Sequence, residues 1–213
     1  MSAYGGGVFD AVILAGGRAE RLGGVDKPGL EVGGTPMIRN VVAAVRGARR
    51  VVVVGPPRDI PDVVFAREEP PGAGPIPALR AGLPHVTAPR VALLAGDLPF
   101  LAPAHVTTLL RAAQDTADGL SGSSRTPGSS EPDMAVDGVS AGVIAVDGEG
   151  RDQWLLGVWD TTALRAALDA YGGRSLRGLL GPLVGRRVAL PRQAWFDCDT
   201  EDDLREARGE RAG

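Results

Sequence analysis

Four kinds of residue in this chain are spaced so that they could do chemistry together. "AGGRAERLGGVDKPGL", residues 15–30, spreads Gly16, Gly17, Gly23 and Gly24 along an extended loop and interleaves Arg18, Arg21 and Lys27. Glycine lets a backbone approach a ligand closely, and two guanidinium forks with one ammonium suit several phosphate oxygens at once. The loop has neither the G-x-G-x-x-G of a dinucleotide turn nor the G-x-x-x-x-G-K-[ST] of a P-loop. A second element is Asp97 in "LLAGDLPFL", a carboxylate ending an apolar run, where packing gives it little reason to be. The alternative to a functional role is a capping or turn-forming one beside Leu98-Pro99.

These residues need a scaffold, and the apolar runs supply one. Val12-Ile13-Leu14, Val51 to Val54, Val63-Val64-Phe65 and Val91 to Ala95 are short, β-rich and bounded by Gly, Pro or Asp, as strands buried on both faces are. Helices are predicted between them. Thr35 is placed to cap one that starts at Pro36 and runs through Val41, Val42 and Val45; Pro103 opens another through Val106, Leu109 and Leu110. This alternation predicts an α/β fold, Rossmann-like, with a mostly parallel sheet, helices on both faces and right-handed crossovers. In such a sheet ligands bind beyond the carboxyl ends of the strands. The segments Ala15 to Pro28, Gly55 to Pro61, Arg67 to Pro75 and Gly96 to Leu101 are therefore expected to converge on one edge.

Residues 118–133, "DGLSGSSRTPGSSEPD", read as a flexible surface loop. "VSAGVIAVD" and "QWLLGVWD" follow as strands, expected to add antiparallel edge strands and a lid, and "AWFDCDTEDDLREAR" reads as a strand followed by a capped helix. Ser175 reads as an N-cap, and Asp199, Thr200 and Asp203 form a capping-box-like group. With 213 residues and 44% hydrophobic composition, the chain suits a single domain. The net charge of -3 confines any anion binding to a local site and argues against nucleic acid as a partner. Cys198 is the only cysteine, which excludes an internal disulfide and multi-cysteine metal sites. The start "MSAYGGGVFD" has no basic n-region or apolar h-region, and no apolar run approaches the ~18 residues of a membrane span, so a cytoplasmic protein without membrane contact is expected. His85 and His105 lie on helix-like stretches without a second ligand at metal spacing.

The pattern L-A-G-G-x-x-x-R-[LM]-G-x-x-D-K, met at Leu14 to Lys27, resembles the signature of the MobA-type molybdenum cofactor guanylyltransferases of the nucleotidyltransferase superfamily. "PPGAGPIPALRAGL" at 70–83 resembles the family's G-P-L-A-G segment, "LLAGDLPFL" its D-x-P loop, and "FDCDTEDDL" at 196–204 its closing N/D-x-N/D-T-P-E-D-L. Sister enzymes with cytidine or sugar substrates more commonly have Ala-Ala-Gly where this chain has Ala15-Gly16-Gly17. The resemblance implies the nucleotidyltransferase (nucleotide-diphospho-sugar transferase) fold in one domain, 1–213. Its halves would be a nucleotide-binding 9–117 and an acceptor-binding 134–208. It implies transfer of GMP from GTP to the terminal phosphate of molybdopterin, with release of pyrophosphate.

By the same resemblance, Lys27, Arg18, Arg21 and Asp97 would be catalytic, with Asp97 holding Mg²⁺ as the metal ligand. Leu14, Ala15, Gly16, Gly17, Lys27, Glu68, Gly74, Pro75 and Asp97 would bind the nucleotide, and Arg174, Arg177 and Asp199 the acceptor. The carboxylate on the guanine edge falls on Glu68 or Glu69, where relatives often carry Asp. Pro77-Ala78 depart from the family's Leu-Ala-Gly, and Gln153-Trp154 from its Gln-Pro. Trp154 and Trp159 are either pterin-pocket walls or core. Implied partners beyond the substrates are molybdoenzymes or cofactor-insertion proteins, met transiently. A cytidylyl- or sugar-phosphate nucleotidyltransferase would share the loop and Asp97, as would a non-catalytic nucleotide-binding adaptor.

Overall fold

A computed structural model describes residues 8–16, 26–121 and 141–209. Among them, seven strands form one sheet: β1 (Phe9–Leu14), β4 (Val51–Val54), β5 (Val64–Ala66), β6 (Arg90–Ala95), β7 (Gly142–Val146), β8 (Asp152–Asp160) and β9 (Val184–Ala189). Between β1 and β4 lie the two-residue strands β2 (Glu31–Val32) and β3 (Thr35–Pro36), then helix α1 (Met37–Ala44). The other helices are α2 (Pro75–Gly82), α3 (Pro103–Ser121), α4 (Thr161–Ala170), α5 (Leu176–Leu180), α6 (Arg192–Trp195) and α7 (Glu201–Arg208).

The order across the sheet is β5-β4-β1-β6-β8-β7-β9, and every neighbouring pair is parallel except those made by β8. The expected antiparallel strand therefore exists, but inside the sheet and not at its edge; the edge is the parallel β9. Alternate residues of each strand feed opposite faces, as a period of two requires. Ala11, Ile13, Val53 and Leu94 pack on α1 and α3 through Ile38, Val41, Leu109 and Leu110. Val12, Val52, Val54 and Leu93 pack on the other face against Ile76 and Leu79 of α2 and Leu164 and Leu168 of α4.

Three local expectations are corrected. Thr35 does not cap α1, because Thr35 and Pro36 pair with Val32 and Glu31 around Gly33 and Gly34, both at positive φ; the helix starts at Met37 and ends before Val45. The stretch before α7 contains α6, which Pro191 introduces, and not a strand. Phe196 and Cys198 there are buried against Val32 and Met37, so packing takes the place of sheet pairing. Most of the expected 118–133 loop lies outside the described residues, α3 running on to Ser121. No helix among the described residues is long and apolar enough to cross a membrane.

Candidate active site

Register explains why the four post-strand segments meet. Leu14 is paired with Val54 on one side and Ala95 on the other, and Val54 with Ala66, so β1, β4, β5 and β6 end level with one another. The Ala15 amide donates to the Val54 carbonyl at 2.8 Å and the Gly96 amide to the Leu14 carbonyl at 2.9 Å, which carries the ladder one step past the strands. Gly55 and Gly96 let these ends crowd together. A Cβ on Gly55 would lie 2.7 Å from the Ala15 carbonyl oxygen, and one on Gly96 2.9 Å from the Ala15 Cβ.

A cleft of about 460 Å³ opens on this edge. Leu14, Gly16, Glu68, Gly74, Pro75 and Asp97 line it from the first half of the chain, and Trp154, Leu176, Trp195 and Asp197 from the second. Gly74 needs to be glycine: at φ 103° it turns the chain into α2, whose first residue is Pro75. Of the two glutamates, Glu68 is the one at the cleft. It is 5% exposed and lines the cleft, whereas Glu69 is exposed and does not. Its Oε1 accepts from the Gly72 amide at 2.9 Å and its Oε2, buried, has no hydrogen-bond partner among the described residues.

Lys27 is the charge that joins distant parts of the chain. It begins a short 3-10 turn, Lys27–Gly29, that Pro28 stiffens, and it is 9% exposed. Its Nζ contacts both the Asp97 and the Asp199 carboxylates. Burial works to lower the Lys27 pKa, but the Asp97 charge and the Asp199 hydrogen bond together outweigh it, so the ammonium titrates above its usual range. The helix explanation for Asp199 fails on geometry. Thr200 caps α7, accepting from the Asp203 amide while Asp203 returns a bond to the Thr200 amide, and this leaves Asp199 to face Lys27.

Beside this trio stands Asp197, a residue the sequence reading passed over. Loss of water on partial burial pushes its carboxyl up to about 6, with the Asp199 and Asp97 charges adding to the rise. Cys198 between the two aspartates is fully buried, and burial pushes its thiol up to about 12, which leaves it unreactive at neutral pH.

The remaining candidates divide. Gly17, Arg18 and Arg21 lie outside the described residues. Arg174 and Arg177 are exposed and do not line the cleft, although Leu176 between them does. Ser175 caps α5 as expected, accepting from the Gly178 amide at 3.0 Å. Of the two tryptophans, Trp154 is a cleft wall and Trp159 is core, 1% exposed and stacked over Gly142. His105 is structural: its Nδ1 accepts from the Ala102 amide at 3.1 Å at the start of α3. Residues missed from sequence are Asp197, Trp195 and the ion pair Arg58–Asp26. Arg58 could have been noticed as the one cation in the Gly55 to Pro61 segment already placed on the edge.

Level strand ends, glycines admitting backbone, and a lysine–aspartate pair define a mostly parallel α/β domain with its cleft at the carboxyl edge of the sheet. The MobA-like NTP transferase domain matches residues 11–188, and the chain belongs to that family. Its sequence is 34% identical over 102 residues to a probable molybdenum cofactor guanylyltransferase of Natronomonas pharaonis, covering 43% of this chain and 50% of that protein. It is 37% identical over 116 residues to a molybdenum cofactor guanylyltransferase of Burkholderia orbicola, covering 49% and 55%. The chain thus spans little more than half the length of these curated relatives. The fold is that of the molybdopterin-guanine dinucleotide biosynthesis protein A of Archaeoglobus fulgidus, with TM-score 0.63 at 19% identity over 94% of this chain and 97% of that one. It is equally that of the 2-C-methyl-D-erythritol 4-phosphate cytidylyltransferase of Thermus thermophilus, with TM-score 0.63 at 19% identity over 93% and 97%.

Proposed function

We propose that this chain transfers GMP from GTP to the terminal phosphate of molybdopterin, releasing pyrophosphate. The observation that carries the reading is the Lys27 ammonium held against Asp97 beside a cleft that also contains Gly16 and Glu68. An oxygen of the acceptor phosphate attacks the α-phosphorus of GTP; the new P–O bond forms as the bond to the β-phosphate oxygen breaks, and pyrophosphate takes the electron pair. The attacking oxygen is already anionic, so the site needs no general base. Its work is to hold two anions in line and to offset charge on the transferring and leaving oxygens.

Lys27 meets the triphosphate and the Gly16 backbone lets it approach; Arg18 and Arg21 belong to the same proposal by sequence alone. Asp97 offers hard carboxylate oxygens at the cleft, and no group of three or more His, Cys, Asp or Glu among the described residues forms a closed metal cage. That donor set fits Mg²⁺, which takes one or two carboxylates and completes its shell with water and substrate phosphates. Mg²⁺ held there would supply positive charge to the phosphates. The free Oε2 of Glu68 is an acceptor waiting for donors, and guanine offers adjacent N1–H and N2–H groups whereas cytosine offers one amino group next to an acceptor. This favours GTP. Trp154 and Trp195, which line the cleft from the second half of the chain, are the proposed walls for the pterin, with Asp199, and Arg174 and Arg177 from outside the cleft lining, assigned to the acceptor.

Pyrophosphate release from GTP in the presence of molybdopterin, run in competition with CTP and UTP, tests the proposal. Release that needs GTP and molybdopterin together is expected; release only with CTP or UTP, or with a sugar phosphate in place of molybdopterin, overturns it.

A further inference from the structure

Arg58 follows Gly55-Pro56-Pro57 as the chain leaves β4, and its side chain is 11% exposed. Three of its nitrogens are occupied. Nη2 donates to the Ala15 carbonyl at 3.2 Å, Nη1 to the Pro56 carbonyl at 3.0 Å, and Nε and Nη2 reach the two Asp26 carboxylate oxygens at 3.2 and 2.5 Å. Ala15 is the first residue after β1, and Asp26 immediately precedes Lys27. One planar group thus ties the residue before Gly16 to the residue before Lys27.

The surroundings are shaped to this tie. Gly55 brings the departing chain against the Ala15 backbone, where any larger residue would collide with the carbonyl that Arg58 uses. The Asp26 carboxylate lies over Gly29, and a Cβ at that position would come within 2.5 Å of Asp26 Oδ2. Asp26 itself is half exposed, so the ion pair alone adds little to stability. A bidentate fork fixes direction as well as charge, and that is what a lysine in its place could not do.

We infer that Arg58 is a positioning residue: by tying the Ala15 carbonyl to Asp26, it holds the Gly16 backbone and the Lys27 ammonium in one frame and so sets the span over which a nucleoside triphosphate is gripped. The inference rests on the reading of this cleft as a nucleoside triphosphate site. Arg58 acts through Gly16 and Lys27, since four of its five N–H donors are engaged by protein.

Steady-state kinetics of the full chain carrying Arg58→Ala, Arg58→Lys, Asp26→Ala and the Arg58→Ala/Asp26→Ala pair test it, with whichever of GTP, CTP or UTP the wild type turns over. Misplacement by about an ångström costs up to about 10²-fold, so kcat/KM for the nucleotide should fall ~10- to 10²-fold in Arg58→Ala. The acceptor KM should stay within about two-fold and the melting temperature within about 2 °C, because the tie adds geometry more than stability. Arg58→Lys should recover little, and adding Asp26→Ala to Arg58→Ala should cost less than about two-fold more, as partners in one interaction do. Unchanged nucleotide KM and kcat, a parallel rise in both substrates' KM, full rescue by lysine, or additive losses would each overturn the inference. Turnover with CTP or UTP in place of GTP removes the guanine assignment and still tests Arg58. If no nucleotide is turned over, the proposed activity fails; calorimetric binding of inorganic tripolyphosphate then decides, and equal affinity of wild type and Arg58→Ala, absence of binding included, overturns the positioning role.

Discussion

Asp10 and Asp97 belong to neighbouring strands and stand at opposite ends of the same sheet. Asp10, second residue of β1, is fully buried; its Oδ2 accepts from the Thr87 amide at 2.6 Å and the Ala88 amide at 2.8 Å, with Arg49 Nε 3.8 Å from Oδ1. It fastens the turn that feeds β6. Asp97, two residues past the other end of β6, is partly open and answered by the side-chain ammonium of Lys27 from another segment. A carboxylate satisfied by backbone amides is committed to the fold, since those amides cannot find water if it leaves. One satisfied by an ammonium at a cleft can exchange that partner for a ligand. The amino edge of the sheet therefore uses acid for architecture, and the proposed function assigns the acid of the carboxyl edge to chemistry.

Substituting the two aspartates should separate those roles. Asp97→Ala is expected to lower kcat by about 10³-fold, the range seen when a preorganised charge contact is lost, with the melting temperature nearly unchanged because Lys27 keeps Asp199. Asp10→Ala should do the reverse. It strands the buried Ala88 amide and the partly buried Thr87 amide and should cost about 3 kcal/mol in urea unfolding, while kcat per folded molecule stays within about two-fold. If Asp97→Ala unfolds the protein or Asp10→Ala abolishes turnover in the folded fraction, the division between edges is wrong. A smaller effect sharpens the carboxyl edge further: Glu68→Gln replaces one acceptor oxygen with a donor, and should shift the ratio of kcat/KM for GTP over CTP by about ten-fold towards CTP. An unmoved ratio in a competition assay would remove Glu68 from base recognition.

Much of the carboxyl edge was legible because it is written in local terms. Apolar runs located β1, β5 and β6, and Gly16, Glu68 and Asp97, which follow them, meet at the cleft. Asp97 and Lys27 are placed in one site by the family resemblance and by the rule that ligands gather at strand ends, and the fold brings them into contact. Other features had no local signature. The place of β8 between β6 and β7, instead of at the edge, is not encoded in its hydrophobicity. Arg58 looks like any loop arginine until the backbone of Ala15 is seen beside it. The hairpin at Glu31 to Pro36 was readable in its Gly33-Gly34 turn, and the helix expectation at Thr35 obscured it. Asp197 was hidden by attention to Asp199, its neighbour but one.

Asp197 supplies the smallest test and the only one read against pH. Its carboxyl is pushed up to about 6 from the ordinary 3.8, loss of water on partial burial being the first cause and the Asp199 and Asp97 charges the next. Between those values the folded chain binds more proton than the unfolded chain, so stability falls as pH rises through that window. Asp197→Asn cannot acquire the charge. It should match the wild type near pH 3.5 and melt higher at pH 7.5, by a margin that solvent access to this residue keeps below about 1 kcal/mol. Thermal unfolding across pH 3.5 to 8 measures the difference, and a variant less stable than the wild type at pH 7.5 would mean that the charged form of Asp197 has a stabilising partner. In that case the carboxyl edge, too, would be spending an acid on its own architecture, and the contrast with Asp10 would narrow to Asp97 alone.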